Sequence, residues 1–226
     1  MHERLNQFVG ITASHLPFHS PIYEFGAFQV PGHEKWDLRP LFPNFDYVGT
    51  DMREGPGVDK VLNLHRIDLP SESVGSVLCL DTLEHVEYPH QALSEIHRIL
   101  SPTYGMVVIS SVMNFPIHDY PYDYWRFTPT AFESLLKPFK HSFVGFAGNE
   151  RFPTTVVGVG FKGDAPDLSA FKENYQKWRK AQMYDLINVI RKITPPVLLP
   201  LLAGSYLKLM GLPKVFSQRP KATADI

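Results

Sequence analysis

Short, continuous apolar runs alternate with amphipathic stretches along the first half of the chain. Runs of the kind that form strands buried on both faces occupy residues 22–25, 47–51, 74–80 and 106–109. Between the last two runs, residues 89–100 repeat apolar side chains at helical spacing. Strand, helix and strand in that order predict a parallel sheet with a crossover helix.

Weaker patterns complete the predicted α/β sheet. Thr128 is a suitable N-cap, and Pro129 suits the first position of a helix. Further on, residues 142–147 and 154–162 alternate or run apolar, and they predict a final antiparallel pair of strands. The other predicted elements are a short helix over 1–16, a weak strand within 58–64, a long helix over 167–194 and an apolar stretch over 197–212. These patterns predict seven strands in all.

Candidate ligand-binding residues lie at the carboxyl ends of the first two predicted strands. Ligands of parallel α/β sheets bind beyond the carboxyl ends of the strands. Gly26 follows the first strand and lets a ligand approach the backbone, while Glu24 offers an acceptor for an ammonium or a ribose hydroxyl. Asp51 ends the second strand, where an acid binds the ribose of nucleotide cofactors. A plain turn at Gly26 and a capping role for Asp51 are the alternatives.

The turn after the fourth predicted strand is also polar. Asp81, Glu84 and His85 lie where a site is expected, with His85 at the rim of a pocket or bonded to the start of the following helix. His90 and His97 are two helical turns apart, too far to bind one metal ion. We therefore expect no metal site.

Composition and charge divide the chain into two parts. The 226 residues are 44% hydrophobic and 20% charged, as in a soluble globular protein. Residues 1–166 carry 12 basic and 19 acidic side chains, whereas residues 167–226 carry 10 basic and 4 acidic ones. We predict an α/β domain over 1–166 and a basic, apolar helical extension over 167–226.

Cysteine content and the termini indicate a cytoplasmic protein. Cys79 is the single cysteine of the sequence, which excludes an internal disulfide and a cysteine metal site. The first residues lack the basic start and apolar run of a secretion signal. No stretch reaches the roughly 18 apolar residues of a spanning helix.

Taken together, the motifs resemble those of the class I S-adenosylmethionine-dependent methyltransferases, with a type 11-like domain. The resemblance rests on Glu24-x-Gly26, on Asp51, on the turn at 65–70, on Leu-Glu-His-Val at 83–86 and on the run at 95–100 before a Pro-x-x-Gly turn. It covers residues 20–162. It implies a Rossmann-like, doubly wound, mostly parallel seven-stranded sheet with an antiparallel last strand, here followed by the C-terminal helical extension. It also implies S-adenosyl-L-methionine as the cofactor.

Carried over to this chain, the resemblance implies a cofactor site along the carboxyl edge of the sheet. Glu24 and Gly26 would lie by the methionine part of the cofactor, and Asp51 would hold the ribose hydroxyls. Met52 would pack on the adenine, with His65 facing the adenine amino group. The cofactor-binding residues implied in this way are Glu24, Gly26, Ala27, Asp51, Met52, Leu64, His65, Leu80 and Asp81.

The first loop departs from the family pattern of an acid followed by three alternating glycines. Phe28 and Val30 replace the second and third glycines, and the loop runs long before Trp36. The departure bears on the backbone path under the cofactor's carboxylate. It motivates a second hypothesis, a non-catalytic binding or scaffold protein on the same fold. A nicotinamide dehydrogenase is a weaker alternative because its glycine fingerprint is absent.

Residues 115–128 follow the fifth predicted strand and should cover the same edge of the sheet. Histidine is the side chain best suited to take a proton at neutral pH, so we predict His118 as a general base, oriented by Asp119. We predict that the aromatic residues of this loop stack on a flat or sugar-like acceptor. The predicted acceptor-binding residues are His85, Tyr120, Tyr124, Trp125 and Arg126.

Two of these assignments have structural alternatives. The aromatic side chains of the loop would serve equally to seal the top of the sheet. Arg126 would pair with a carboxylate or phosphate of the acceptor, or else with Asp123 or Glu84.

The sequence therefore predicts a methyltransferase acting on a small molecule or a glycan-type acceptor, with no nucleic-acid partner. Basic residues beside apolar ones over 167–226 suggest peripheral membrane contact. Packing of this extension on the body of the protein or on a second copy is the alternative.

Overall fold

The computed structural model describes residues 3–30, 37–118 and 122–183. Its seven strands are β1 (Ile22–Phe25), β2 (Tyr47–Asp51), β3 (Lys60–Val61), β4 (Ser76–Cys79), β5 (Met106–Val112), β6 (His141–Asn149) and β7 (Phe152–Phe161). Its α-helices are α1 (Glu3–His15), α2 (Pro89–Ile99), α3 (Pro129–Leu135) and α4 (Ser169–Met183).

All seven strands belong to one sheet, in the order β3-β2-β1-β4-β5-β7-β6. β1 pairs in parallel with both β2 and β4, and β4 pairs in parallel with β5. β7 runs antiparallel to its two neighbours. The mostly parallel, Rossmann-like sheet with an antiparallel last strand is thus confirmed. Since the chain winds outward from β1 in one direction and from β4 in the other, the carboxyl ends of β1 and β4 flank the crevice where such sheets bind ligands.

Element boundaries differ from the predicted ones mainly where polar residues interrupt an apolar run. β5 continues past Ile109 to Val112, because Ser110 and Ser111 pair with β7. The predicted cap of α3 is confirmed, since the Thr128 hydroxyl accepts a hydrogen bond from the Ala131 amide at 3.2 Å. Residues 184–194 of the predicted long helix and the apolar stretch at 197–212 lie outside the described residues.

Two cores cover the two faces of the sheet. In β4, Val77 packs under α2 and α3, whereas its neighbour Leu78 packs on the opposite face with α1 and α4. This alternation follows from the two-residue period of a strand. Burying one large apolar side chain contributes roughly 1.5–3 kcal/mol, so both helical layers stabilise the sheet that carries the site.

The described part of the predicted extension packs on the body of the protein. The Trp178 indole donates a hydrogen bond to the Arg4 carbonyl oxygen at 3.1 Å. The Phe8 ring lies 5.4 Å from the Trp178 ring and 6.3 Å from the Phe171 ring. For residues 169–183, the structure therefore corresponds to the packing alternative. The division of the chain at residue 166 stays a prediction, as do membrane or homodimer contacts through the residues after 183. Among the described helices, none combines the length and apolar character needed to cross a membrane.

Candidate functional site

At the crevice beyond the ends of β1 and β4, the backbone of Gly26 packs tightly against the Thr82 side chain. Gly26 has φ +88°, and a β-carbon added there would lie 2.1 Å from the Thr82 hydroxyl oxygen. That hydroxyl is within hydrogen-bond distance of the carbonyl oxygens of Phe25 and Leu80, at 3.2 and 2.9 Å. Glycine is therefore required at position 26 because the Thr82 side chain packs on its backbone, whereas close approach of a ligand there stays a prediction.

Asp81 turns the chain out of β4 in the left-handed region, with φ 45°. Its carboxylate accepts a hydrogen bond from the Ser110 hydroxyl at 2.8 Å, and its amide lies 2.9 Å from the same oxygen. A non-glycine residue in this conformation costs roughly 1–3 kcal/mol and persists only where neighbours hold it. Ser110 of β5 is the neighbour that does so here.

Glu24 is buried under the same edge of the sheet. The Tyr47 hydroxyl donates to its carboxylate at 2.7 Å. Burial raises the pKa of Glu24 to about 7, against the smaller opposing effects of the Tyr47 hydrogen bond and the positive charge of Arg39. An ammonium group placed beside Glu24 would favour its ionised form.

Asp51 ends β2 with only part of its hydrogen-bonding capacity used. Its Oδ1 accepts from the amide and the Nε of Arg53, at 3.0 and 3.4 Å. Among the described residues, its Oδ2 accepts no hydrogen bond. The Arg53 guanidinium lies 4.5 Å from the centre of the Phe28 ring, so one residue that replaces a family glycine supports the turn beside Asp51. Met52 between them is 56% exposed.

The other predicted cofactor residues take structural positions. The His65 Nε2 accepts from the Tyr88 amide at 3.2 Å and so holds the start of α2. Leu64 and Leu80 are buried in the two cores. The amide of Ala27, also buried, donates to the Thr50 carbonyl oxygen at 2.9 Å. Contacts of these four residues with a cofactor stay predictions.

Within the turn after β4, the side chain of Glu84 is buried, with only 1% exposed. The Ser111 hydroxyl donates to its carboxylate at 2.7 Å. Burial, together with the nearby Asp81 carboxylate, raises the pKa of Glu84 above its ordinary value. The backbone oxygen of Glu84 accepts from the amides of Tyr124 and Trp125, at 2.7 and 3.2 Å. The loop predicted to bind the acceptor is thus fastened to this turn.

Asp123 is the carboxylate that contacts His118. Its Oδ2 lies 2.9 Å from the His118 amide and 3.2 Å from the His118 Nδ1. The predicted partner, Asp119, lies outside the described residues, as does Tyr120. Arg126 donates to both Asp123 oxygens, at 2.5 and 2.6 Å. Of the alternatives set out for Arg126, the structure shows the clamp on Asp123.

The rings of His85 and His118 meet edge to face, with centres 4.8 Å apart. Burial lowers the pKa of His85, whose Nδ1 lies 2.5 Å from the Tyr122 carbonyl oxygen. One ligand atom each of Glu84, His85 and His118 lies within 4.8 Å of the others. From the sequence, Asp123 was expected only as a possible partner of Arg126, and Ser111 had no expected role, although two serines directly after an apolar run were a usable signal.

Exposed aromatic residues surround this cluster. The Trp125 indole donates to the Val86 carbonyl oxygen at 2.9 Å, which fixes the orientation of its ring. Four aromatic residues here are between 41 and 62% exposed, and we call them the aromatic patch: Tyr88, Tyr122, Tyr124 and Trp125. Exposed aromatic faces of this extent are typical of binding surfaces.

Part of the chain matches a known protein family. Residues 49–109, from β2 to β5, match the family model of a methyltransferase domain. No curated protein sequence matches the chain.

Solved methyltransferase structures share the fold at low sequence identity. A Haloferax volcanii methyltransferase in complex with the Trm112 activator is 14% identical, with a TM-score of 0.54 over 73% of this chain and 92% of that one. An S-adenosylmethionine-dependent methyltransferase from Thermotoga maritima is 19% identical, with a TM-score of 0.50 over 70% and 89%. The methyltransferase domain of the citrinin polyketide synthase is 16% identical, with a TM-score of 0.51 over 63% of this chain. The match spans only 46% of that domain.

The residues at this edge of the sheet fit S-adenosylmethionine, the cofactor that a methyltransferase domain implies. Glu24 is a buried acid suited to an ammonium, and the Oδ2 of Asp51 can accept from a ribose hydroxyl. Gly26 lets the Thr82 side chain pack on its backbone and so shapes the turn between them. Residues 49–109 thus match a methyltransferase domain, and the chain shares the fold of solved methyltransferases.

Proposed function

We propose that the chain is a methyltransferase that moves a methyl group from S-adenosylmethionine to a small-molecule or glycan-type acceptor. One observation carries the proposal. The turn from Asp81 to His85 joins the crevice formed by Gly26 and Asp51 to the cluster around His118, so both lie at one edge of the sheet.

On the cofactor side, the chain's residues bind and orient. When bound, S-adenosylmethionine would supply a methyl group on a positively charged sulfur: a nucleophile of the acceptor bonds to the methyl carbon as the carbon–sulfur bond breaks, and the neutral thioether S-adenosylhomocysteine leaves. Asp51 would hold the ribose through Oδ2, and Glu24 would pair with the amino group. Gly26 and Asp81, fixed by Thr82 and Ser110, would keep the backbone clear beneath the methionine part.

On the acceptor side, the proposal depends on positioning. Placing a nucleophile in line with a reactive carbon supplies much of the rate in such reactions. The aromatic patch offers ring faces on which a sugar or a flat ring can stack, at the rim of the cluster. Asp123 and Arg126 fix the His118 ring, and its Nε2 is the nitrogen left to take the acceptor's proton.

Calorimetry with S-adenosylmethionine and with its demethylated product tests the proposal. We expect the intact chain to bind both, and Asp51→Ala to lose binding by at least tenfold while its circular dichroism spectrum is unchanged. Glu54→Ala removes an exposed acid three residues away and serves as the matched control, with unchanged affinity. Absence of binding at millimolar ligand would instead favour the non-catalytic scaffold.

Binding that survives Asp51→Ala would move the ribose site elsewhere. Transfer of a labelled methyl group to members of a panel of glycans and hydroxylated small molecules then identifies the acceptor. The cytoplasmic location expected from the sequence stays a prediction.

A further inference from the structure

We propose that Glu84, His85 and His118 form a binding site for a divalent transition-metal ion. Each residue offers one ligand atom, and the three atoms lie within 4.8 Å of one another. Ligand atoms about 2 Å from a tetrahedral ion lie about 3.3 Å apart. Rotations that move side-chain tips by about an ångström would therefore close the site around an ion.

The groups behind the three ligands support this assignment. A histidine that binds a metal almost always donates its other ring N–H to a carbonyl or a carboxylate. The Nδ1 of His85 lies 2.5 Å from the Tyr122 carbonyl oxygen, and the Nδ1 of His118 lies 3.2 Å from a carboxylate oxygen of Asp123. In the described part of the chain, neither Nε2 makes a hydrogen bond, so both are available as ligands.

The carboxylate ligand is held in the same way. The Ser111 hydroxyl donates to one oxygen of Glu84, its Oε2. A single hydrogen bond of this kind orients a ligating carboxylate. Arg126 in turn fixes Asp123 with two hydrogen bonds, so the support extends one residue further from the cluster.

The ligand set indicates the kind of ion. Two imidazoles and one carboxylate suit Zn²⁺, Fe²⁺ or Ni²⁺, whereas Mg²⁺ and Ca²⁺ prefer oxygen ligands alone. Three protein ligands leave coordination positions open for water or a substrate. Glu84 is buried and the two histidines are partly exposed, so the open positions would lie on the solvent side of the cluster.

The consequence for the acceptor rests on the proposed function. An ion at this position would bind a hydroxyl or carboxylate oxygen of the acceptor and lower the pKa of a bound hydroxyl. Acceptors with such an oxygen next to a ring or sugar face would then be preferred. His118 would serve as a metal ligand in place of the base role given above, and metal titration decides between the two.

The test is titration of the chelator-treated, full-length chain with Co²⁺, followed by visible absorption, and then displacement of Co²⁺ by Zn²⁺. We expect one ion per chain, with affinity lowered at least tenfold in His85→Gln and in His118→Gln. His90→Gln changes an exposed histidine on α2 and is the matched control, with unchanged affinity. Asp123→Asn, which alters only the supporting carboxylate, should weaken binding by about 10- to 100-fold.

Melting curves with and without Zn²⁺ guard against misfolded variants. The wild-type chain and His90→Gln should melt at higher temperature with the ion, whereas the folded His118→Gln chain should show no shift. No saturable binding, or equal affinity in both ligand variants and the control, would overturn the metal site. Calorimetry with S-adenosylmethionine on the same samples separates the hypotheses, because cofactor binding without metal binding removes only this inference, and the reverse removes only the proposed function.

Discussion

At the scale of single residues, the absence of a side chain at position 26 keeps β1 in contact with the turn after β4. Gly26→Ala would combine an unfavourable backbone conformation with a contact of 2.1 Å to the Thr82 hydroxyl oxygen. We expect the free energy of unfolding to fall by roughly 1–3 kcal/mol. Urea denaturation measures this change, and calorimetry should show weaker cofactor binding by the folded variant.

Gly10→Ala provides the comparison. Gly10 lies inside α1, and a β-carbon there would meet no described atom within 4 Å. Alanine stabilises such a helical position by about 0.5–1 kcal/mol. Equal effects of the two substitutions would show that the contact between Gly26 and Thr82 does not constrain the fold.

The buried carboxyl group of Glu24 should make the protein less stable as pH rises. Burial raises its pKa from an ordinary value of 4.5 to about 7. Between these values the unfolded chain releases the proton that the folded chain retains, so the free energy of unfolding should decrease as pH rises. Glu24→Gln removes this contribution. The variant should therefore gain stability relative to wild type by about 3 kcal/mol between pH 4 and pH 8.

Denaturant curves at several pH values measure this difference directly. Subtracting the wild-type curve from the variant curve cancels the contributions of other titrating groups. A difference that stays constant from pH 4 to pH 8 would mean that Glu24 ionises as readily in the folded protein as in the unfolded chain.

At the scale of elements, β5 shows what the sequence pattern could and could not predict. The apolar run from Met106 to Ile109 was predicted as a strand, and the two serines that follow it were not included. Ser110 and Ser111 are fully buried, because their hydroxyls bond to Asp81 and Glu84. A polar pair inside a strand is stable when partners from another element satisfy it, and those partners are not visible along the chain.

The loop after β5 illustrates the same limit. Asp119 is adjacent to His118 in sequence, whereas Asp123, five residues away, is the carboxylate that the structure places at its ring. Asp119 lies outside the described residues, so its predicted role stays a prediction, and the path of residues 122–126 brings Asp123 to the ring. That path depends on hydrogen bonds from Tyr124 and Trp125 to the Glu84 carbonyl oxygen, which no local pattern encodes.

Arg126 is the residue that holds this loop together. Besides Asp123, it donates to the carbonyl oxygens of Phe115 and Pro116, at 3.2 and 2.9 Å. Arg126→Lys keeps the charge but loses the planar fork that makes these bonds. We expect faster hydrogen exchange at the His118 amide, by tenfold or more, and weaker acceptor binding with cofactor affinity unchanged.

The control for Arg126→Lys is Lys140→Met. This substitution breaks an exposed ion pair with Asp164 next to the start of β6, the edge strand of the sheet. Exposed pairs contribute little, so exchange in the loop should not change. Exchange at His118 that is equally slow in Arg126→Lys would show that the loop is held by its backbone contacts alone.

At the scale of the whole molecule, the sheet was predictable because its strands are short, apolar and separated by turn residues. The bounds of β1 and β2 match the predicted ones, and the antiparallel pair at the end of the sheet is confirmed. What the sequence did not determine was the surface that α4 covers. A basic, amphipathic helix fits a membrane interface, a partner or the protein itself, and only the positions of α1 and β6 distinguish these possibilities for residues 169–183.

Phe171→Ala tests whether α4 is part of the fold. Its side chain is fully buried, with ring contacts to Phe8 and Phe143. Removing a buried phenylalanine costs roughly 3–5 kcal/mol, and the loss should appear as one cooperative transition at lower temperature. Lys177→Ala, on the exposed side of the same helix, should leave the transition unchanged. If residues 167–226 were instead an independent extension, Phe171→Ala would leave the main transition in place, and the α/β body would keep its stability without α4.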